Sequence, residues 1–197
     1  MSMENKAVFF DRDGTLNVDI HYLHRPEDFI WIPGAKEAIR HVNDRGYLAI
    51  LVTNQSGVAR GYYPESDVRR VYDWMNCELQ KVGAHLDALY YCPHHPDGSV
   101  PRYTKTCACR KPSPGLLLEI TRRYGLPAQK LIMAGDSRRD LEAVAAVGGL
   151  PILVRTGNGA KAEAAGGLPP NTLIFDDLAA VSAYLLAREA DKGQAPQ

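Results

Sequence analysis

Asp11 and Asp13 stand two residues apart in "DRDGTLN", just after an apolar run. In extended chain that spacing turns both carboxylates to the same side, and Gly14 lets the chain bend sharply behind them. Two close carboxylates facing one crevice repel each other unless a cation lies between them. A hard divalent ion such as Mg²⁺ favours such oxygens. A solvated Asp-Gly turn is the plainer alternative, and the glycine comes too early for an EF-hand calcium loop.

Three further stretches have matching chemistry. "VTNQSG" offers the hydroxyls and amides of Thr53, Asn54, Gln55 and Ser56, which suit phosphate oxygens at a strand end. "CRKPSPG" places Arg110, which can grip a phosphate through two bonds, beside Lys111, a compact point charge. "AGDSRRD" places Asp136 four residues before Asp140, one turn apart in a helix. Each stretch alone also serves ordinary structure: a polar turn, a solvated charge, or a helix cap from Asp136 or Ser137.

The stretch "YYCPHHPDGSVPRYTKTCACRKP" holds three of the four cysteines. Cys92, His94, Cys107 and Cys109 form C-x-H and C-x-C pairs, a tetrahedral donor set closed by protein groups, as in structural zinc sites. The loop between them lacks a helix or strand pattern and needs a clamp. Disulfides are the rival, but Cys107 and Cys109 are too close to suit each other, and a chain read as cytoplasmic keeps its thiols reduced. His95 reads as a bystander and Cys77 as a spare thiol on the outer side of its helix. A zinc clamp ending at Cys109 would fix Arg110 and Lys111 in place without doing chemistry itself.

These groups need a scaffold. Apolar runs at 7–10, 47–52, 86–91, 131–134, 152–154 and 172–175 are apolar on both faces, as in strands covered on both sides. Helical patterns fall between them: from Pro33-Gly34 to Gly46, from Pro64 to Gly83, from a Ser113-Pro114 cap to Gly125, from about Arg139 to Val147, and from Asp177 to about Glu189. The alternation predicts an α/β fold, a doubly wound, mostly parallel Rossmann-like sheet in one domain over 1–188, with a disordered tail at 189–197. In such folds ligands sit beyond the carboxyl ends of the strands. Of 197 residues, 45% are hydrophobic, enough for a sizeable core. Lys+Arg and Asp+Glu both number 23, so the basic excess of nucleic-acid or anionic-membrane binders is missing. No apolar stretch is long enough to span a bilayer, and the start lacks a signal-peptide core. The reading is a cytoplasmic enzyme, monomeric, with neither nucleic acid nor membrane as partner.

Acid, hydroxyl-amide, lysine and acid thus follow successive strands in order. From about Lys6 to Leu186 this resembles the haloacid dehalogenase (HAD) superfamily of phosphohydrolases, with "DRDGT", "TNQSG", Lys111 and "GDSRRD" as its four motifs. The resemblance implies that Asp11 is the nucleophile forming an aspartyl-phosphate and that Asp13 is the general acid, then base. Mg²⁺ would be held by Asp11, the backbone carbonyl of Asp13 and Asp136. Thr53 and Lys111 would hold phosphoryl oxygens, with Asp140 behind the ligands.

The inserts after the first and third strands are too short or too occupied for a cap domain, so the site should be open. Asp19, His21 and Tyr22 in "NVDIHYLHRPEDF" are then candidates to touch a sugar-like substrate, or are simply a surface loop. Residues 95–106 resemble the loop of capless, zinc-bearing members that remove the 7-phosphate of a heptose 1,7-bisphosphate on the route to nucleotide-activated heptose for bacterial lipopolysaccharide. Arg110 would then meet the second phosphate. Histidinol-phosphate phosphatases, with a shorter loop, are the alternative. A nucleic-acid 3′-phosphatase, a non-catalytic phosphosugar binder and a zinc-based interaction module are more distant ones. Nothing in the sequence assigns Arg138 and Arg139.

Overall fold

In strand β1 (Ala7–Phe10), Val8 and Phe10 join one buried cluster and Ala7 and Phe9 the other. A strand whose alternate residues are buried on both faces needs helices on both. The computed structural model describes residues 5–192. One side carries α1 (Ala35–Asp44), α2 (Glu65–Gln80) and α6 (Leu178–Lys192). The other carries α3 (Gly115–Tyr124) and α4 (Arg138–Ala145).

The remaining strands are β2 (Leu48–Asn54), β3 (Ala88–Cys92), β4 (Leu131–Gly135), β5 (Leu150–Val154) and β6 (Leu173–Phe175). The sheet order is β3-β2-β1-β4-β5-β6, and every pairing is parallel. Phe10 pairs with Leu51 on one flank and Ala134 on the other. The order of winding reverses at β1, and a crevice opens there beyond the strand ends.

All six expected strands form. The helical faces also match: Ala35, Ala38, Ile39 and Val42 are buried in α1, and Val68, Val71, Met75 and Leu79 in α2. Three details differ. A short helix, α5 (Gly159–Ala165), has no counterpart in the sequence pattern, because its Gly- and Ala-rich run has no apolar stripe. Ser113 does not cap α3: Pro114 holds that position without a side-chain bond, and the Ser113 N–H turns back to the Arg110 carbonyl at 2.9 Å. Helix α6 continues through the start of the expected tail to Lys192. Ala190, Asp191 and Lys192 tolerate a helix, and Gly193 is the first breaker in the sequence. The rest of that tail, 193–197, lies outside the described residues.

No separate cap unit occupies the two inserts. After β1, Asn17 bridges Trp31, and Val18 N–H and Ile32 N–H bond to the Ile30 and Leu16 carbonyls. After β3, the chain forms only the 3-10 turn Pro101–Tyr103 before α3. No helix among the described residues is long and apolar enough to cross a membrane.

Candidate active site

The crevice collects side chains from five strand ends or their loops. Asp11 and Asp13 follow β1, Thr53, Asn54, Gln55 and Ser56 close β2, and Lys111 arrives from the insert after β3. Asp136 follows β4, with Asp140 in the first turn of α4, and Asn158 follows β5. Asp19, His21 and Tyr22 line the same cleft, which has a volume of about 230 Å³.

Lys111 is its electrostatic centre. Its side chain is 2% exposed, and the ammonium group donates to Asp11 Oδ1 at 2.9 Å and to the Val52 carbonyl at 2.6 Å. It also pairs with Asp140 Oδ1 at 2.6 Å. Burial alone would lower its pKa, but the two carboxylates outweigh this and raise it. Asp140 also starts α4. Its Oδ2 accepts the Ser137 hydroxyl at 2.6 Å and the Ser137 N–H at 3.2 Å, completing a capping box.

Oxygens of Asp11, Asp136 and Asp140 lie within 4.8 Å of one another. Three carboxylates against one lysine leave two negative charges. Desolvation by burial, then the charge of Asp140, pushes Asp11 up to about 6. Burial, then the charge of Asp11, pushes Asp136 up to about 7. An oxygen-seeking divalent cation fits that donor set. Asp136 is held tightly: Oδ2 accepts the Asn158 N–H at 2.8 Å and its amide at 3.2 Å. A Cβ at Gly14 or Gly157 would lie 2.1 or 2.3 Å from that same oxygen. Both glycines have left-handed backbone, so the close approach needs them.

Asp13 faces a different set of partners. Arg12, 1% exposed, reaches both its oxygens through Nη2 at 3.0 and 2.9 Å and also holds the Leu23 carbonyl at 2.8 Å. Asn17 and Gln55 amides add bonds of 3.1 and 3.2 Å. The nucleophile candidate thus shares one lysine with two other carboxylates, and the acid-base candidate sits in a ring of donors that includes the Arg12 guanidinium.

Several residues occupy places that the sequence does not reveal. Asn54 commits both ends of its amide to the Lys111 backbone, at 3.0 and 3.1 Å, and so positions the lysine. Arg110 donates to the His94 carbonyl at 3.2 Å and lies beside the cleft lining, whereas Arg139 is part of that lining. His21 and Tyr22 both have left-handed backbone, with the His21 N–H held by Asp19 Oδ1 at 2.9 Å. Strain of that kind persists only where the surroundings impose it. Arg12, Asn17, Tyr63 and Asn158 also belong to the site, although each looks like ordinary loop chemistry in the sequence.

The Cys-His cluster forms as expected. Ligand atoms of Cys92, His94, Cys107 and Cys109 lie within 4.8 Å of one another. The sulfurs are 3.0, 3.2 and 3.5 Å apart, and His94 Nδ1 is 3.2 Å from Cys109 Sγ. Those separations are far beyond a disulfide bond of about 2.05 Å. His95 instead faces Arg60 at 3.5 Å, and Cys77 is exposed. The loop is tied down elsewhere too. Tyr91 and Tyr103 hydroxyls both donate to Glu65, and the N–H groups of Ser99 and Val100 meet the Ala59 carbonyl at 2.8 and 2.9 Å. One clamp therefore positions both the Arg110-Lys111 pair and the segment after Thr53.

A six-stranded parallel sheet with this acid, hydroxyl and lysine arrangement at its strand ends defines a phosphatase of the HAD type. Two family models match: HAD-hydrolase-like over residues 108–181, and polynucleotide kinase 3 phosphatase over residues 6–140. The D-glycero-beta-D-manno-heptose-1,7-bisphosphate 7-phosphatase of Bordetella bronchiseptica is 41% identical over 92% of this chain and 98% of its own. That of Escherichia coli K12 is 42% identical over 83% and 86%. The crystal structure of the D,D-heptose 1,7-bisphosphate phosphatase from B. bronchiseptica, complexed with magnesium and phosphate, superposes with a TM-score of 0.86, covering 93% of this chain and 99% of that one. The chain belongs to the family of these 7-phosphatases.

Proposed function

We propose that this phosphatase removes the 7-phosphate of D-glycero-β-D-manno-heptose 1,7-bisphosphate, with Mg²⁺ in the cleft, in the formation of nucleotide-activated heptose. The observation that carries the reading is the cleft itself: a nucleophile-grade carboxylate, a separate hydrogen-bonded carboxylate and a buried lysine meet at the β1 switch point. The names of the relatives supply the substrate and the β anomer.

Asp11 attacks phosphorus and the sugar oxygen leaves, giving an aspartyl-phosphate. Asp13 gives its proton to that oxygen and then takes one from the water that hydrolyses the intermediate. Thr53 and Lys111 hold phosphoryl oxygens as charge shifts onto them. Asp11, Asp136 and the Asp13 backbone carbonyl would hold Mg²⁺, which when bound offsets the charge between anionic nucleophile and anionic substrate.

Arg110 suits the second phosphate. Its pKa is lowered, by burial first and then by the charge of Arg139. Burial, then Arg110 and Arg60, lowers that of His95, and Arg60 Nε is buried without a hydrogen-bond partner. An anion would relieve this crowding of like charges. Asp19, His21 and Tyr22 face the sugar between the two phosphates.

The test is phosphate release with Mg²⁺ from the two heptose 1,7-bisphosphate anomers, histidinol phosphate and a 3′-phosphorylated oligonucleotide. The β anomer is expected to show the highest kcat/KM. A lead for histidinol phosphate would overturn the substrate. A lead for the oligonucleotide would favour the chemistry named by the family model over residues 6–140.

Zn²⁺ suits the cysteine-histidine site, whose donors are three sulfurs and one nitrogen with no place left for substrate. Its removal should act through structure. A zinc chelator is expected to lower the melting temperature, with activity lost slowly as residues 93–113 loosen. Instant, reversible loss with an unchanged melting curve would contradict a structural ion.

A further inference from the structure

Gln55 is 2% exposed and its amide faces both acid-base and phosphate-binding candidates. Nε2 donates to Thr53 Oγ1 at 2.9 Å and to Asp13 Oδ2 at 3.2 Å. An amide has two ends of nearly equal shape, and turning this one over would aim its oxygen at the Asp13 carboxylate. The Asp13 carboxylate disfavours that turn, and Tyr63 holds the far end of the amide, its hydroxyl donating to Gln55 Oε1 at 2.8 Å.

Tyr63 is itself built in. It is 5% exposed, and the His24 ring stacks on it with centroids 4.9 Å apart and planes at 10°. A Cβ at Gly57 would lie 2.3 Å from the tyrosine ring, so the ring can reach Gln55 only past a glycine. Val58, Ala59, Val68 and Tyr103 pack in the same cluster, and burial pushes the phenol up to about 12, so its hydroxyl keeps the proton it donates.

The direction of these bonds has a chemical consequence. Thr53 Oγ1 accepts from Gln55, so its own proton is left for a phosphoryl oxygen. Asp13 Oδ2 is held from the same nitrogen, which sets the carboxyl group relative to the hydroxyl. We propose that Tyr63 is a positioning residue for phosphoryl transfer, acting through Gln55 to hold Asp13 as proton carrier and Thr53 as phosphoryl donor. The proposal rests on the roles given above to Asp13 and Thr53. It also gives the clamped loop a second route to the chemistry, through Tyr103 and the cluster around Tyr63.

Tyr63→Phe keeps the ring and removes only the hydroxyl. It is expected to lower kcat roughly tenfold or more while KM changes less than about threefold, because the interaction matters to the reacting geometry rather than to binding. Gln55→Leu should lower kcat at least as much. The double variant should be no slower than Gln55→Leu alone, the signature of residues acting in series. Melting temperatures taken alongside separate this from unfolding. Wild-type kcat in Tyr63→Phe, or a double variant slowed by the product of the two single effects, would overturn the relay. Asp13→Asn and Thr53→Val serve as controls. If these too turn over normally, the underlying roles have failed, and the relay with them.

Discussion

Asp11→Asn is expected to lower phosphate release on the order of 10⁴-fold or more while the protein keeps its fold and melts within a few degrees of the parent. The two halves of this expectation have separate causes. A carboxamide cannot attack phosphorus as a carboxylate does, so the covalent route closes. The fold does not need the charge that is removed. Asp11 is held up to about 6 by its own desolvation and by Asp140, so keeping it ionised costs the folded protein stability. Lys111 keeps Asp140 and the Val52 carbonyl when Asp11 becomes neutral. Phosphate release and a melting curve on the same preparation decide the matter. Turnover within tenfold of the parent would remove Asp11 from the nucleophile's place. Loss of activity together with unfolding would make the residue structural.

The parts of this site that the sequence reveals are those carried by local order. Asp11 and Asp13 follow an apolar run, and period-two alternation turns both toward one side. The C-x-H and C-x-C pairs reveal a donor set suited to a metal because each half is short and donor-rich, and the set assembles from those four residues. The parts that stay hidden depend on where a second segment arrives. Gln55 reads as a ligand for substrate until Tyr63 is seen to hold the far end of its amide. Asn54 looks equally available, yet both ends of its amide meet the Lys111 backbone, 57 residues away in the chain. Asn158 lies in "RTGNGA", an unremarkable turn, and becomes an Asp136 partner only because β5 pairs beside β4. The sequence names Arg110 as the cation beside the cleft but leaves Arg139 unassigned. The structure seats Arg139 in the lining and Arg110 against the His94 carbonyl.

Lys111→Met should fail in both ways at once. The methionine occupies nearly the same volume, and the two Asn54 bonds hold the backbone rather than the side chain, so the loop has no local reason to move. What disappears is one cation among buried acids. Asp11 and Asp140 lose their partner where solvent cannot replace it, since the lysine side chain is 2% exposed and that of Asp140 1%. Removing one member of a buried ionic group costs about 3–5 kcal/mol, which for a chain of this size lowers the melting temperature by roughly 6–20 °C. Turnover falls as well, on the order of 10²–10³-fold, for want of the charge that meets the phosphoryl oxygens. Mg²⁺ should recover part of the stability and little of the turnover, because it would neutralise Asp11 and Asp136 without reaching the lysine's place beside Asp140. Mg²⁺-free samples should be made by dialysis, since a strong chelator would also take the Zn²⁺ proposed for Cys92, His94, Cys107 and Cys109. An unchanged melting temperature in Mg²⁺-free buffer would mean that the three acids tolerate one another without the lysine. The asymmetry with Asp11→Asn would then vanish. That asymmetry follows from sign alone: in a cluster with surplus negative charge, deleting a carboxylate relieves the fold and deleting the ammonium burdens it.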